Sequence, residues 1–173
     1  VISADPQNKT AWVGGGTKIY ALGAALHRHG MALPNQGDID QQSITGATAT
    51  GTHGTGASLQ NLSSRVVGAR IALASGKIVE CSPTQNAELW QASRLHLGAF
   101  GLVVAVQLQC VESYRLQEQI QKLPLIEALN DLDTLVANNR HCEFFWYPQS
   151  DTANLKTINP TDTPAEYPLA GEG

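Results

Sequence analysis

The sequence predicts an α+β fold in which antiparallel strands, paired as hairpins, alternate with short helices. Two patterns support this prediction: apolar runs flank a turn at residues 5–8, and two more flank the tight turn Ser75-Gly76. Between the hairpins lie segments whose apolar residues recur at helical spacing, and the sequence has no internal repeat. We therefore expect a mainly antiparallel sheet flanked by helices.

The first half of the chain contains two predicted hairpins and two helical segments. Thr17 is positioned to cap a helix that runs to about His29, and Gly30 is positioned to stop it. Gly14-Gly15-Gly16 is interpreted as the turn between strand and helix, and the small residues at 43–49 suit one or two further helical turns. The strands of the two hairpins are predicted at residues 1–4, 9–13, 62–74 and 77–81.

The second half begins with a predicted helix at residues 86–94 and a glycine-bracketed turn at 96–101. Residues 124–138 have the spacing of one amphipathic helix. Its apolar side consists of Ile126, Leu129, Leu132, Leu135 and Val136. Strands are predicted at residues 102–111, 115–121, 143–147 and 153–158.

The residue pattern changes near residues 110–114, where small residues give way to a more polar β-α-β pattern. We therefore divide the chain into residues 1–112 and 113–173. The tail 160–173 is rich in Pro, Thr, Gly and acidic residues, and we expect it to be disordered. The first residues, Val1-Ile2-Ser3, have no initiator Met and no signal-peptide pattern, so we expect an internal piece of a longer protein.

The composition is that of a globular protein without strong charge. With 42% hydrophobic residues, 15% charged residues and a net charge of -4, the 173-residue chain lacks the basic surface of a nucleic-acid-binding protein. No apolar run reaches the ~20 residues that cross a membrane. Cys81, Cys110 and Cys142 are odd in number and widely spaced, so we expect core thiols and a cytoplasmic protein, with membrane association of a longer protein left open. His27 and His29 lie on different faces of their helix, so no metal site is expected.

Residues 43–56 have the composition of an uncharged loop that could bind an anionic ligand through its main chain. The segment contains four glycines, five threonines, one serine and no charged side chain. Glycine lets the backbone approach a ligand closely, and consecutive N–H groups can form a concave anion site. A helical turn that starts near Ser43 would add its free N–H groups. From composition alone, binding of a diphosphate and a purely structural role in tight packing remain equally open.

Residues 33–56 closely resemble the FAD-binding domain of aldonolactone oxidases, which belong to the vanillyl-alcohol-oxidase superfamily. That family includes L-gulonolactone, D-arabinono-1,4-lactone and alditol oxidases. Residues 92–103, 108–111 and 143–150 resemble later segments of the same family, in the same order. The resemblance implies the second subdomain of a vanillyl-alcohol-oxidase-type FAD-binding domain, followed by the beginning of the substrate domain.

This resemblance also implies a reaction and a cofactor site. FAD would oxidise the CH–OH group of a sugar-1,4-lactone or polyol, with O2 or another molecule as electron acceptor. In part of the family a histidine is covalently bound to the flavin, but it lies in an earlier loop, so we do not give His53 that role. By their positions in the family motif, the residues expected to contact FAD are Ser43, Gly46, Thr48, Gly51, Thr52, His53, Gly54 and, through its backbone, Val103.

The family's first phosphate loop and its acid–base and substrate residues have no counterpart in the sequence. We therefore assign no catalytic residue and expect this piece to be inactive by itself. Two alternatives to the lactone oxidase remain: an alditol or hydroxyacid oxidase of the same superfamily, and a non-catalytic fragment that keeps the fold.

Overall fold

The computed structural model describes residues 1–164, which divide into two compact units. Unit 1 consists of Val1–Gly54 and Gln60–Ser113, and unit 2 consists of Thr55–Leu59 and the described residues that follow Ser113. Residues 165–173, which make up most of the tail expected to be disordered, lie outside the described residues. Within residues 1–164, no helix is long and apolar enough to cross a membrane.

The strands of unit 1 include both predicted hairpins. In chain order they are β1 (Ser3–Asp5), β2 (Thr10–Gly14), β3 (Met31–Ala32), β4 (Val66–Ala72), β5 (Ile78–Cys81), β6 (Leu102–Gln109) and β7 (Val111–Glu112). Five of them form an antiparallel sheet in the order β1-β2-β6-β4-β5, and β3 pairs with β7. The central strand β6 is therefore distant in sequence from its neighbour β2.

Three helices accompany this sheet: α1 (Ile19–His27), α2 (Ile44–Ala49) and α3 (Ala87–Ser93). The apolar stripe of α1, formed by Ile19, Leu22 and Leu26, is almost completely buried in the core. Gly30 stops α1 as predicted, because its φ is +68° and its N–H donates to the carbonyl oxygen of His27.

Two boundaries in unit 1 differ from the prediction. Thr17 does not cap α1, because Lys18 is the N-cap residue and no side chain caps the helix. The strand predicted from residue 62 begins only at Val66. A 3-10 turn at Leu62–Arg65 precedes it, because the Asn61 side chain accepts a hydrogen bond from the N–H of Ser64 and stabilises the turn.

Unit 2 contains a three-stranded antiparallel sheet with two short helices. The strands are β8 (Leu116–Pro124), β9 (His141–Trp146) and β10 (Thr152–Pro160), and their spatial order is β8-β10-β9. The helices are α4 (Leu125–Asn130) and α5 (Leu132–Asn138). The prediction of a single helix was wrong, because the backbone leaves helical geometry at Asp131, where ψ is 6°.

The predicted apolar side is partly buried in α5, at Leu135 and Val136, but it is not the side that packs in α4. Ala128 is fully buried, whereas the side chain of Ile126 is 63% exposed and that of Leu129 is 49% exposed. The buried residues of β10, Ala153 and Leu155, lie on one face of the sheet. A methyl side chain such as that of Ala128 lets a helix approach a sheet closely, so the smaller residue is the buried one.

Candidate cofactor-binding site

Helix α2 begins as predicted at Ser43, but its first N–H groups are not free. The Ser43 hydroxyl accepts a hydrogen bond from the N–H of Gly46 at 3.3 Å. The N–H of Ile44 donates to the carbonyl oxygen of Thr17 at 2.8 Å, and the N–H of Thr45 donates to that of Gly15 at 3.3 Å. The expectation that this turn offers free N–H groups to a phosphate was therefore wrong.

The threonine hydroxyls of the segment mostly hold the segment itself together. Three of them donate to main-chain carbonyls: Thr45 to Gly15 (2.8 Å), Thr48 to Ile44 (3.0 Å) and Thr50 to Gly46 (3.1 Å). Thr48 is only 3% exposed. The hydroxyl of Thr52 lies 3.3 Å from the side-chain nitrogen of Gln42 and 3.4 Å from its side-chain oxygen. These side chains shape the turn, which leaves the main chain as the source of donors.

Gly54 lies where two stretches of chain come close together. A Cβ at Gly54 would collide with the carbonyl oxygen of Gln36 and would lie 2.6 Å from the Oδ1 atom of Asn35. Asn35 is itself 5% exposed, and its Oδ1 accepts a hydrogen bond from the N–H of Gln36 at 3.0 Å. A side chain at position 54 would displace this packing. Asn35 was not among the predicted site residues, although it lies in the segment that resembles the family.

Gly51 is required for a different reason. Its φ is +71°, in the left-handed region that residues with a Cβ rarely adopt. A Cβ at this position would also lie 2.9 Å from Cδ1 of Leu95. Gly51 thus turns the chain from α2 into the loop that contains His53 and Gly54.

The loop at residues 53–56 contains the main-chain donors. Among the hydrogen bonds of residues 1–164, none has the N–H of His53, Gly54 or Gly56 as its donor. His53 is exposed, and its Nδ1 lies 2.9 Å from the carbonyl oxygen of Gly54. Because a carbonyl oxygen only accepts, this contact places the ring proton on Nδ1. Three uncommitted N–H groups in four residues, without a nearby carboxylate in the segment, favour an anionic ligand.

The turn at residues 96–101 lies beside the end of α2. The N–H of Leu97 donates to the carbonyl oxygen of Ala49 at 3.3 Å, and the side chain of Leu97 is 75% exposed. The Nδ1 of His96 accepts a hydrogen bond from the N–H of Gly98 at 2.9 Å, and burial lowers the pKa of His96. The main chain of Leu97 is thus hydrogen-bonded to the last residue of α2, while its apolar side chain is exposed.

Val103 follows this turn in β6. It is 6% exposed, and its carbonyl oxygen lies 2.6 Å from the place where Gly15 would have a Cβ. Since Gly15 also accepts hydrogen bonds from Thr45, the main chain of Val103 lies close to the first turn of α2. Unit 1 thus brings together Val103 and the predicted residues from Ser43 to Gly54, while Thr55 and Gly56 belong to unit 2.

Sequence comparisons identify the family. A family model described as an FAD binding domain matches residues 1–82, and one described as D-arabinono-1,4-lactone oxidase matches residues 106–171. The L-gulono-1,4-lactone dehydrogenase of Mycobacterium tuberculosis is 40% identical over 177 residues, and the L-gulonolactone oxidase of Bos taurus is 35% identical over 164 residues. The chain belongs to the aldonolactone oxidase family. The match over residues 1–82 confirms the prediction of FAD as the cofactor.

The similarity covers most of this chain and less than half of each relative. The alignments include 99% and 95% of the chain, but 41% of the M. tuberculosis protein and 37% of the bovine protein. The chain therefore spans about two fifths of the length of these relatives. The contacts of individual residues with FAD stay predictions.

Solved structures confirm the predicted fold class. Cholesterol oxidase from Brevibacterium sterolicum superimposes with a TM-score of 0.78 at 21% identity, covering 87% of this chain and 32% of that chain. The 6-hydroxy-D-nicotine oxidase from Arthrobacter nicotinovorans gives a TM-score of 0.73 at 21% identity, covering 91% of this chain and 37% of that one. At this identity the likeness concerns the fold alone.

Proposed function

We propose that the chain is part of an FAD-dependent oxidoreductase that oxidises the CH–OH group of a sugar-1,4-lactone. The names of its relatives support this substrate class: they include an L-gulono-1,4-lactone dehydrogenase and, at 30% identity, the D-arabinono-1,4-lactone oxidase of Yarrowia lipolytica. Because these names include both oxidases and dehydrogenases, the proposal includes O2 or another electron acceptor.

The observation that best supports the proposal is the set of main-chain donors at residues 53–56. A diphosphate carries negative charge, and the segment from Ser43 to Gly56 contains no Lys or Arg side chain. In the proposal, the N–H groups of His53, Gly54 and Gly56 bind the FAD diphosphate. When bound, FAD supplies the hydride acceptor for the reaction.

The remaining predicted residues have supporting roles in this proposal. Ser43 and Gly46 form the capped start of α2, and Thr48, which is buried, ties the helix internally. Gly51 provides the left-handed turn into the loop, and Thr52 holds it to Gln42. The FAD diphosphate would therefore meet main-chain atoms first, and the threonine hydroxyls would act on FAD only by shaping the turn.

His53 would contact FAD through its outer ring nitrogen. Its Nδ1 donates to the carbonyl oxygen of Gly54, and the side chain is exposed. The Nε2 atom is therefore the ring nitrogen that would face the ligand. Replacing His53 with Leu should weaken FAD binding in a titration, and equal affinity in both proteins would exclude this contact.

Cofactor binding can be tested by adding the chain to FAD and following flavin fluorescence. We expect weak, saturable quenching, which is reduced in Gly54→Ala and retained in Gly16→Ala, since a Cβ at Gly16 meets no atom within 4 Å. No quenching at millimolar chain concentration would contradict a cofactor role for residues 43–56.

The substrate class requires a protein of the relatives' full length that contains this chain. We expect its flavin to be bleached by L-gulono-1,4-lactone under anaerobic conditions and to be reoxidised by O2 or a dye. Alditols and hydroxyacids serve as competing substrates in the same assay. Bleaching only by an alditol or a hydroxyacid would replace the lactone with that substrate class.

We also propose a reducing, cytoplasmic location. The support is that Cys81, Cys110 and Cys142 are all free thiols. One relative, from Brassica oleracea, is named as mitochondrial, so cell fractionation has to compare the two compartments. Recovery in the mitochondrial fraction would contradict the cytoplasmic proposal.

A further inference from the structure

The last part of the candidate loop belongs to unit 2. Thr55–Leu59 lies in that unit, although Gly54 and Gln60 on either side of it belong to unit 1. Gly56 has a φ of +108°, and the carbonyl oxygen of Arg140 lies 2.6 Å from the place of a Cβ at Gly56. Only glycine combines this conformation with this close approach. The segment is therefore fitted against the residues that begin β9.

His141, the first residue of β9, makes the specific contact with this segment. Its Nδ1 lies 3.1 Å from the carbonyl oxygen of Thr55 and 3.2 Å from the Thr55 hydroxyl oxygen. The side chain is only 8% exposed. A buried ring nitrogen is costly without a partner, and Thr55 is the partner here. With the proton on Nδ1, the ring donates to the Thr55 carbonyl.

We infer that His141 is a positioning residue for the part of the candidate FAD loop that lies in unit 2: its ring holds Thr55 and thereby restrains the adjoining main chain of Gly56. A glycine-rich loop loses much conformational freedom when it orders around a ligand. An anchor at Thr55 reduces that loss before the ligand arrives. The role of His141 toward FAD rests on the proposed function of the loop, whereas its hold on Thr55 does not.

Burial and the charged groups near His141 shift the pKa of its ring. Burial lowers the pKa of His141 below 6.5, and the neighbouring Arg140 lowers it further, as does Lys156 on β10. The hydrogen bond with Thr55 and the carboxylate of Glu143 act in the opposite direction. Glu118 of β8 and His141 both pair with Ile158 of β10, so the two residues lie on the same face of the sheet. The segment Thr55–Leu59 contains no titratable side chain. Burial therefore favours the neutral ring in the folded protein, while Nδ1–H donates to the Thr55 carbonyl in both protonation states of the ring.

The test compares three variants of the 173-residue chain. His141→Leu removes both ring nitrogens, and His141→Asn keeps an amide near the place of Nδ1. His27→Leu is the matched control, because it removes a similar histidine–hydroxyl contact, that of His27 with Ser113 at 2.7 Å, in unit 1. The measurements are the amide hydrogen-exchange protection factor of Leu59, whose N–H donates to the carbonyl oxygen of Gly56 at 3.0 Å, determined by NMR, and FAD affinity, determined by fluorescence titration.

We expect His141→Leu to reduce the protection of the Leu59 amide about tenfold, the effect of losing one hydrogen bond, and to weaken FAD binding. His141→Asn should recover most of both effects, and His27→Leu should change neither. If His141→Leu does not fold, His141→Gln replaces it. The amide of Gln reaches the place of Nε2 rather than that of Nδ1, so this variant also removes the contact with Thr55.

Different results overturn different statements. Unchanged protection in a folded His141→Leu protein overturns the hold on Thr55. Reduced protection with unchanged FAD affinity overturns the positioning role and leaves the proposed function intact. Absence of FAD binding by the unaltered chain overturns the cofactor role of residues 43–56 together with the role of His141 toward FAD. Equal loss in His141→Leu and His141→Asn shows that ring volume, not the hydrogen bond, is what matters, and this also overturns the inference.

Discussion

Replacing Gly54 with alanine is the most direct perturbation of the candidate loop. The new methyl group would collide with the carbonyl oxygen of Gln36 and would lie 2.6 Å from Oδ1 of Asn35. Neither atom can move freely, because Asn35 is 5% exposed and its Oδ1 is bonded to the N–H of Gln36. One stretch of chain has to shift, and overpacking of this kind costs about 1–3 kcal/mol.

Urea unfolding followed by circular dichroism measures this cost. We expect the free energy of unfolding of Gly54→Ala to fall by about 1–3 kcal/mol, whereas that of Gly16→Ala should stay within about 0.5 kcal/mol of the unaltered chain. FAD affinity should decrease in Gly54→Ala alone, because the shift displaces the donors at residues 53–56. A Gly54→Ala protein that unfolds at the same urea concentration as the control and binds FAD equally well would refute the steric argument.

Three further predictions concern positions outside the loop. Gly23→Ala in the middle of α1 should raise the free energy of unfolding by about 0.5–1 kcal/mol, since its Cβ meets no atom within 4 Å; a lower urea midpoint would contradict this. Burial raises the pKa of Cys110 to about 11, so iodoacetamide at pH 8 should modify Cys110 only after unfolding, as mass spectrometry can show. Burial lowers the pKa of His96, and its Nδ1 accepts a hydrogen bond from Gly98, so the folded state favours the neutral ring. Stability should therefore decrease as the pH falls below 6.5, and His96→Asn should reduce this slope in urea titrations; an equal slope would exclude His96 as a cause.

The hairpins and the first helix could be predicted because their determinants are local. The turn before Thr10 and the turn at Gly76 are encoded by adjacent residues, and both hairpins form. The spacing of Ile19, Leu22 and Leu26 places them on one face of α1, which is the buried face. Gly30 likewise stops the helix through its own backbone conformation.

For residues 124–138, the local sequence predicts neither the buried face nor the break between α4 and α5. The pattern placed Ile126, Leu129 and Leu132 on one side, but the buried residue is Ala128. Periodicity shows which residues share a face and does not show which face another part of the protein covers. The break at Asp131 also depends on how α4 and α5 fit their sheet, which the local sequence does not specify.

The sequence by itself determined the family and the cofactor, and it predicted the segment that contacts FAD, because glycine and threonine at fixed positions indicate the conformation of the main chain. Only the tertiary structure decided which main-chain groups remain for a ligand. The carbonyl oxygens of Gly15 and Thr17, distant in sequence, take the first N–H groups of α2, so the donors shift to residues 53–56. His141 likewise meets Thr55 only after folding. Hydrogen-bond partners that are far apart in the chain are set by packing, and a local motif cannot show them.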